Sequence, residues 1–321
     1  MTRSARTPLR WVIVLTENWT MTSGSDPMQL VRWAQQAEDA GFDAAMTSEH
    51  IVLGPASGAA GRMPNPREYA LPGNQDPDTP WPSTLLMLAA VAARTSTIRL
   101  AASAVIAPLR HPLQLAKELA TLDALSGGRL TVQPTVSWHR DEYAALGVPF
   151  TERGARLDEH LQVWQLAWRA AATGSPLRFE GRFYRFDDVW VSPGPAQADG
   201  PRLWFGGAEM HDALLHRLVH HGHGWNPLGV PIDGDRAKLS SGLRAVGRDL
   251  ADLELVGGTR ATFPDATSCA DLGRALEDLP LKVAQGFTTF CIKPSQFIDD
   301  PADVGRFCRE VVSRGEALLA R

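Results

Sequence analysis

The chain has 321 residues, of which 44% are hydrophobic and 21% are charged, a composition typical of a globular protein with a large core. Its formal net charge of -4 argues against a basic surface that binds nucleic acid or an anionic membrane. No apolar run approaches the ~20 residues of a membrane-spanning helix, and Cys269, Cys291 and Cys308 have no paired or metal-type spacing. We therefore expect a cytoplasmic protein with reduced thiols.

Short apolar runs, many of them rich in β-branched residues, alternate along the chain with longer amphipathic stretches. Such runs are typical of parallel strands buried on both faces, and the stretches between them have helical spacing. The alternation predicts one α/β domain over residues 1–321, a (β/α)8 TIM barrel with inserted loop segments. A doubly wound open sheet is the alternative, but no Gly-x-Gly-x-x-Gly motif follows the first run. The predicted strands are residues 11–16, 42–47, 98–106, 130–136, 203–206, 224–226, 253–262 and 287–292.

Two long segments interrupt this alternation and are predicted to be irregular loops. Residues 53–82 follow the second strand, and residues 179–201 precede the fifth. Loops of this length in a compact domain are usually lids or functional insertions. The first one follows a strand, which places it at the carboxyl end of the barrel, where active sites form. We expect both segments to shape a substrate pocket.

Polar and small residues follow several of the predicted strands. Glu49 and His50 come directly after the second strand, where a histidine is suited to donate or accept a proton and a neighbouring carboxylate to orient it. The alternative is a histidine on a surface loop. Gly206-Gly207 ends the fifth strand and allows a ligand to approach the backbone closely.

The histidines between residues 216 and 223 lack the glutamate of a His-Glu-x-x-His metal motif, so they predict a polar helix face and no metal site. The chain has no nucleophile elbow and no Walker loop. Redox or group-transfer chemistry would therefore come from a cofactor. The histidines concerned are His216, His220, His221 and His223.

Several motifs in consistent order between residues 40 and 227 resemble the bacterial luciferase-like flavin oxidoreductase superfamily. Within it, the chain is most similar to the branch that uses the deazaflavin coenzyme F(420). The resemblance implies a cofactor ring over the mouth of the barrel, a small-molecule substrate, a homodimer and a separate reductase that supplies reduced cofactor. The motifs are Gly41-Phe-Asp…Ser-Glu-His50, Pro108-Leu-Arg-His-Pro112, Ser126-Gly-Gly-Arg-Leu130 and Leu146-Gly-Val-Pro-Phe-Thr-Glu-Arg-Gly-Ala-Arg-Leu-Asp-Glu159.

The resemblance also assigns roles to individual residues. It implies that His50, with Glu49, is catalytic, and that a non-proline cis bulge lies at Ser103–Ala104 behind the ring. The branch typically has Asp-His where this chain has Glu49-His50, and small residues where it has Gln133 and Pro134. Further residues that the resemblance places at the site are Trp138, Gly206, Gly207, Trp225 and Asn226 for the cofactor, and Glu17 and Asn18 for the substrate.

The predicted function is hydride transfer between reduced coenzyme F(420) and a small organic substrate. One alternative is an FMN-dependent monooxygenase of the same fold, which consumes dioxygen. Another is a barrel that binds a cofactor without catalysis.

Overall fold

Apolar runs such as Trp11-Val-Ile-Val14 form a closed barrel of parallel strands in the computed structural model, which describes residues 9–227 and 233–320. Around the barrel the strand order is β1-β10-β9-β8-β7-β4-β3-β2. The predicted (β/α)8 barrel and its eight strands are confirmed, with ends shifted by a few residues. The strands are β1 Arg10–Val14, β2 Ala44–Thr47, β3 Arg99–Ile106, β4 Leu130–Thr135, β5 Leu177–Glu180, β6 Arg185–Val189, β7 Arg202–Phe205, β8 Gly224–Trp225, β9 Glu254–Gly258 and β10 Thr289–Ile292.

Helices surround the barrel and enclose two apolar layers. The larger layer lies between strands and helices and includes the buried Trp33, Trp164 and Trp168. The smaller layer lies inside the barrel and includes Val12 and Trp204. Among the described residues, no helix is long and apolar enough to cross a membrane. The helices are α1 Met28–Asp39, α2 Thr84–Ala92, α3 Pro112–Leu125, α4 Arg140–Ala145, α5 Arg153–Thr173, α6 Asp212–His221, α7 Asp233–Ala245, α8 Leu272–Ala275, α9 Leu279–Ala284 and α10 Val304–Ala320.

A charged cluster closes the amino end of the barrel. Arg99 donates to both carboxylate oxygens of Glu254, at 2.8 and 2.9 Å, and also pairs with Asp43. Burial opposes ionisation of Glu254, but the hydrogen bonds and charge of Arg99 hold its pKa below the usual value. This end of a TIM barrel contributes to stability, and the opposite end carries the site.

The prediction that residues 179–201 are irregular is wrong, because strands β5 and β6 form an antiparallel hairpin there. The hairpin packs on α5, where Tyr184 Oη lies 3.1 Å from His160 Nε2. The chain beyond it returns to the amino end of the barrel, where Gln197 donates to the carbonyl of Leu130 at 2.9 Å. This segment therefore lies outside the barrel, away from the mouth where we expected it to shape a pocket.

Candidate active site

His50 lies just beyond the end of β2, in an aromatic enclosure at the carboxyl end of the barrel. Its ring meets Trp81, Trp138 and His139 edge-on, with centroids 5.2, 5.6 and 6.1 Å away. The side chain is only 8% exposed, and its Nδ1 lies 3.4 Å from Oε2 of Glu142. The arrangement therefore differs from the surface loop histidine that the sequence left as an alternative.

Glu142 is the carboxylate beside His50, and sequence reasoning missed it. Its side chain is fully buried in the first turn of α4. Oε1 accepts from the backbone N–H groups of Ile51 at 2.5 Å and Val52 at 3.3 Å, and Oε2 accepts from Ser137 Oγ at 3.2 Å. These donors offset the cost of burying the carboxylate and fix it against the imidazole.

Glu49 was predicted to orient His50, and the structure corrects that role. Its carboxylate accepts two hydrogen bonds from Arg110, at 2.8 and 3.0 Å, and one from the backbone N–H of Ile106 at 2.7 Å. Such a bidentate pair is geometrically specific. Glu49 therefore fixes the end of β3, and Glu142 takes the place next to the histidine.

Gln133 joins three strand ends at the mouth of the barrel. Its Oε1 accepts from Ser103 Oγ and from Asn226 Nδ2, both at 2.9 Å. The peptide bond between Ser103 and Ala104 is cis, at the place where the family resemblance put the bulge, and the register of β3 against β4 shifts there. Gln133 thus connects Ser103 with Asn226 across the mouth.

Gly206 lies against the same group because it has no side chain. A Cβ atom added there would lie 2.0 Å from the carbonyl oxygen of Asn226 and 3.2 Å from Nε2 of Gln133. Gly206, Gly207 and Ala104 are half-buried, as is Trp138 on the His50 side. The structure therefore brings Ser103, Ala104, Gly206 and Asn226 together as predicted. We call Ser103, Ala104, Gln133, Gly206 and Asn226 the mouth floor.

Two predicted contacts point away from the mouth. Trp225 is 1% exposed and packs in the layer between strands and helices, because neighbouring residues of a strand face opposite sides and Asn226 faces inward. Asn18 is also 1% exposed. Its Nδ2 donates to the carbonyls of Val14 and Leu15, and its Oδ1 accepts from the N–H of Ser295 at 2.9 Å. Asn18 therefore holds the chain after β1 in place and faces no substrate.

Glu17 remains near the mouth, but its carboxylate already has partners. It accepts from Ser48 Oγ at 2.8 Å and from the N–H of Ala70 at 2.9 Å. An open cleft of about 250 Å³ adjoins Glu17 and is lined mainly by apolar residues, among them Trp19 and Trp81. Trp81 also contacts His50, so this indole is shared by the cleft and the enclosure of the histidine.

Residues 53–82 form a lid, a name we keep for this segment, which is tied to strand ends on several sides of the barrel. Near β4, the N–H of Gly54 donates to His139 Nε2 at 2.8 Å, and burial lowers the pKa of His139, which favours the neutral acceptor. Near β9, Asn65 donates to the carbonyl of Asp265 at 3.0 Å. The bond from Ala70 to Glu17 fixes it near β1. The lid therefore crosses the mouth.

Lys293, a second residue that sequence reasoning missed, is fully buried beneath the lid just after β10. Its Nζ donates to the carbonyl of Glu68 at 2.6 Å and lies 5.7 and 5.3 Å from the ring centroids of Trp19 and Tyr69. Burial lowers the pKa of Lys293 to about 8. A lysine directly after the last barrel strand was the signal available in the sequence.

The histidines near residue 220 lie on and after α6, outside the mouth. The rings of His216 and His220 have centroids 4.4 Å apart, as expected for residues one turn apart. Nδ1 of His221 is 2.9 Å from Nε2 of Gln165, and His223 Nδ1 accepts from the N–H of Leu203. In the part of the chain that the structure describes, no group of three or more residues has metal-ligand geometry.

Comparisons with known proteins agree with this architecture. The family model described as luciferase-like monooxygenase matches residues 10–270. An uncharacterized protein of Mycobacterium tuberculosis is 34% identical over 221 residues, which cover 67% of this chain and 74% of that protein.

Two relatives with assigned activities use different cofactors. The F(420)-dependent glucose-6-phosphate dehydrogenase of Nakamurella multipartita is 26% identical over 89% of this chain and 76% of its own length. The FMNH(2)-dependent dimethylsulfone monooxygenase of Pseudomonas putida is 29% identical over 49% of this chain and 44% of its own length. The two cofactors named by these relatives are thus the two that the sequence left open.

Proposed function

The chain belongs to the luciferase-like monooxygenase family of oxidoreductases, and on that basis we propose that it transfers a hydride between coenzyme F(420) and a small organic substrate. The observation that carries the proposal is the enclosed His50 with its buried partner Glu142, next to the mouth floor. The relative from Nakamurella multipartita, which matches 89% of the chain, supports the choice of cofactor.

We propose that a flat ring lies on the mouth floor, where Gly206 and Ala104 carry little or no side chain. Gly206 also lies so close to Asn226 that an added methyl group would collide with the backbone, which restricts this position to glycine. Ser103, at the bulge, is joined to Gln133, whose Nε2 lies 3.2 Å from the position of a Cβ atom on Gly206. We propose that these residues, with Gly207 and Trp138, hold the deazaflavin ring. When bound, the coenzyme would supply two-electron hydride chemistry, which none of the side chains provides.

The proposed task of His50 is to hold or move a proton at Nε2. Its Nδ1 faces a carboxylate, which favours the tautomer that carries hydrogen on Nδ1 and leaves Nε2 for the substrate. Glu142 would orient the ring and balance the charge that His50 carries when protonated. The lid and Trp138 would keep water from the reacting atoms.

A titration of the purified protein with F(420) and with FMN, followed by fluorescence, tests the cofactor. We expect F(420) to bind more tightly. Tight binding of FMN with no binding of F(420) would contradict the proposal. The His50→Ala variant should retain its fold and cofactor binding but lose kcat, because Nε2 of the neighbouring His139 already accepts from the N–H of Gly54. Unchanged kcat would refute the proton role, and bound cofactor with no turnover on any substrate would favour a non-catalytic barrel.

An FMN-dependent monooxygenase is the second candidate, and the relative from Pseudomonas putida favours it. In that case reduced FMN from a separate reductase would support dioxygen consumption, and F(420)H2 would not. An oxygen electrode with each reduced cofactor in turn separates the two candidates. We also propose a homodimer, which light scattering would test.

A further inference from the structure

We propose that Gln133 is a cofactor-positioning residue, whose Nε2 donates a hydrogen bond to an acceptor atom on the pyrimidine edge of the bound ring. This inference rests on the proposed function, because it requires a tricyclic flavin or deazaflavin at the mouth floor.

The first step is the orientation of the Gln133 amide. Its Oε1 accepts two hydrogen bonds, from Ser103 Oγ and Asn226 Nδ2, each at 2.9 Å. These donors come from opposite sides, β3 and the end of β8, and Gln133 is only 7% exposed. Rotating this amide alone by 180° would set its NH2 group against Nδ2 of Asn226, so the bond from Asn226 favours the orientation with Oε1 toward it and Nε2 on the other side.

The second step is that the other half of the amide is free. Among the residues that the structure describes, Nε2 donates no hydrogen bond, whereas Oε1 has two partners. Nε2 is also not among the side-chain nitrogens that are buried without a partner, so it is accessible. It lies over the face of Gly206, 3.2 Å from where a side chain would begin.

The third step is the chemistry that would match this donor. The pyrimidine part of a flavin or deazaflavin carries two carbonyl oxygens and a ring nitrogen that accept hydrogen bonds. A pre-oriented N–H donor loses little entropy when it pairs with such an atom, and it discriminates strongly against a ligand without an acceptor there. Because charge accumulates on this edge when the ring is reduced, the donor would favour the reduced form.

The variant Q133E gives a sharp test because it exchanges the donor for an acceptor. One carboxylate oxygen can still accept from Ser103 and Asn226, while the other replaces the N–H group. We expect the Kd for the cofactor to rise about 30-fold at pH 8. The affinity should recover as the pH falls to about 5, because a protonated carboxyl group is again a donor. A purely structural role would show no such recovery.

Q133M and Q114M serve as the comparison pair. Q133M removes the donor without adding charge, so its Kd should rise about tenfold, or about 1.4 kcal/mol, with the same pH dependence as wild type. Gln114 is exposed on α3, and Q114M should bind like wild type. Circular dichroism of the apoproteins identifies any variant that fails to fold, and the midpoint potential of the bound cofactor should fall in Q133M.

The possible outcomes separate this inference from the proposed function. If the wild-type protein binds neither F(420) nor FMN, the proposed function fails. If it binds one of them and the affinities of the folded Q133E and Q133M variants are unchanged, only the role of Gln133 is refuted.

Discussion

Replacing Gly206 by alanine should both destabilise the protein and weaken its binding of the cofactor. The added Cβ would lie 2.0 Å from the carbonyl oxygen of Asn226, against about 3.5 Å for a comfortable non-bonded contact. Removing this overlap requires a displacement of about 1.5 Å. The obstructing atom belongs to the backbone, and the N–H of Asn226 is itself bonded to Phe205 at 2.9 Å, so the two strand ends must shift together.

The expected cost is at the upper end of the range for overpacking, about 3 kcal/mol. For a chain of this size, the thermal midpoint should fall by roughly 4 to 5 °C. The shift would also move Asn226 relative to Gln133, so the Kd for the cofactor should rise. Thermal unfolding followed by circular dichroism, together with a fluorescence titration, measures both effects.

Gly258, at the end of β9, provides a matched control. A Cβ atom there would have no neighbour within 4 Å, so Gly258→Ala should stay within about 0.5 kcal/mol of wild type. If Gly206→Ala unfolds at the wild-type midpoint and binds cofactor normally, the close approach of Gly206 to Asn226 does not constrain the mouth floor.

Two further predictions concern buried ionisable groups. Glu142→Gln should lower kcat about tenfold, or about 1.4 kcal/mol, with little change in KM, because a neutral amide cannot balance a protonated His50. Steady-state kinetics would measure the change in kcat, with the exposed Glu277→Gln as the control variant. A lower thermal midpoint with normal kcat would assign Glu142 a structural role only. For Lys293, burial lowers the folded-state pKa from 10.5 to about 8, so the unfolded chain binds more protons between these values and folding stability rises with pH across that window. Between pH 7.5 and 9.5 the free energy of unfolding of the wild type in urea should rise by about 2 kcal/mol relative to that of Lys293→Met. A difference that stays constant with pH would contradict a lowered pKa of Lys293.

The barrel was predictable because its signals are local. Each strand is a short apolar run, and the order of strands follows from their alternation with helices. The cis bulge at Ser103–Ala104 was predictable for a different reason, since it came from family resemblance and not from any propensity of those two residues. The hairpin β5–β6 was missed because its strands have exposed and charged residues, such as Arg185 and Asp187, on a sheet of only two strands.

The errors at the site have identifiable physical causes. Trp225 and Asn226 were both assigned to the cofactor, although adjacent residues of a strand cannot face the same side. The sequence could not show whether Glu49 or Glu142 lies beside His50, because the answer depends on which of the two carboxylates has a stronger partner elsewhere. Glu49 forms a bidentate pair with Arg110. Glu142 is 92 residues away from His50 in the chain, and no local sequence pattern predicts a contact over such a separation.

The lid differs from the mouth floor in the forces that hold it, and this difference bears on how the site works. The floor consists of strand ends that continue into the barrel core. The lid is fixed mainly by hydrogen bonds and ion pairs to loops, such as Arg67 with Asp299 and Lys293 with Glu68. It places one aromatic ring, that of Tyr69, against the inner layer of the barrel, where the hydroxyl is buried without a partner. An unpaired buried hydroxyl costs free energy, and the lid has no ladder of backbone hydrogen bonds like the one that joins the strands below. We therefore expect the lid to open at a lower free-energy cost than the floor, so that the floor stays ordered while the lid moves.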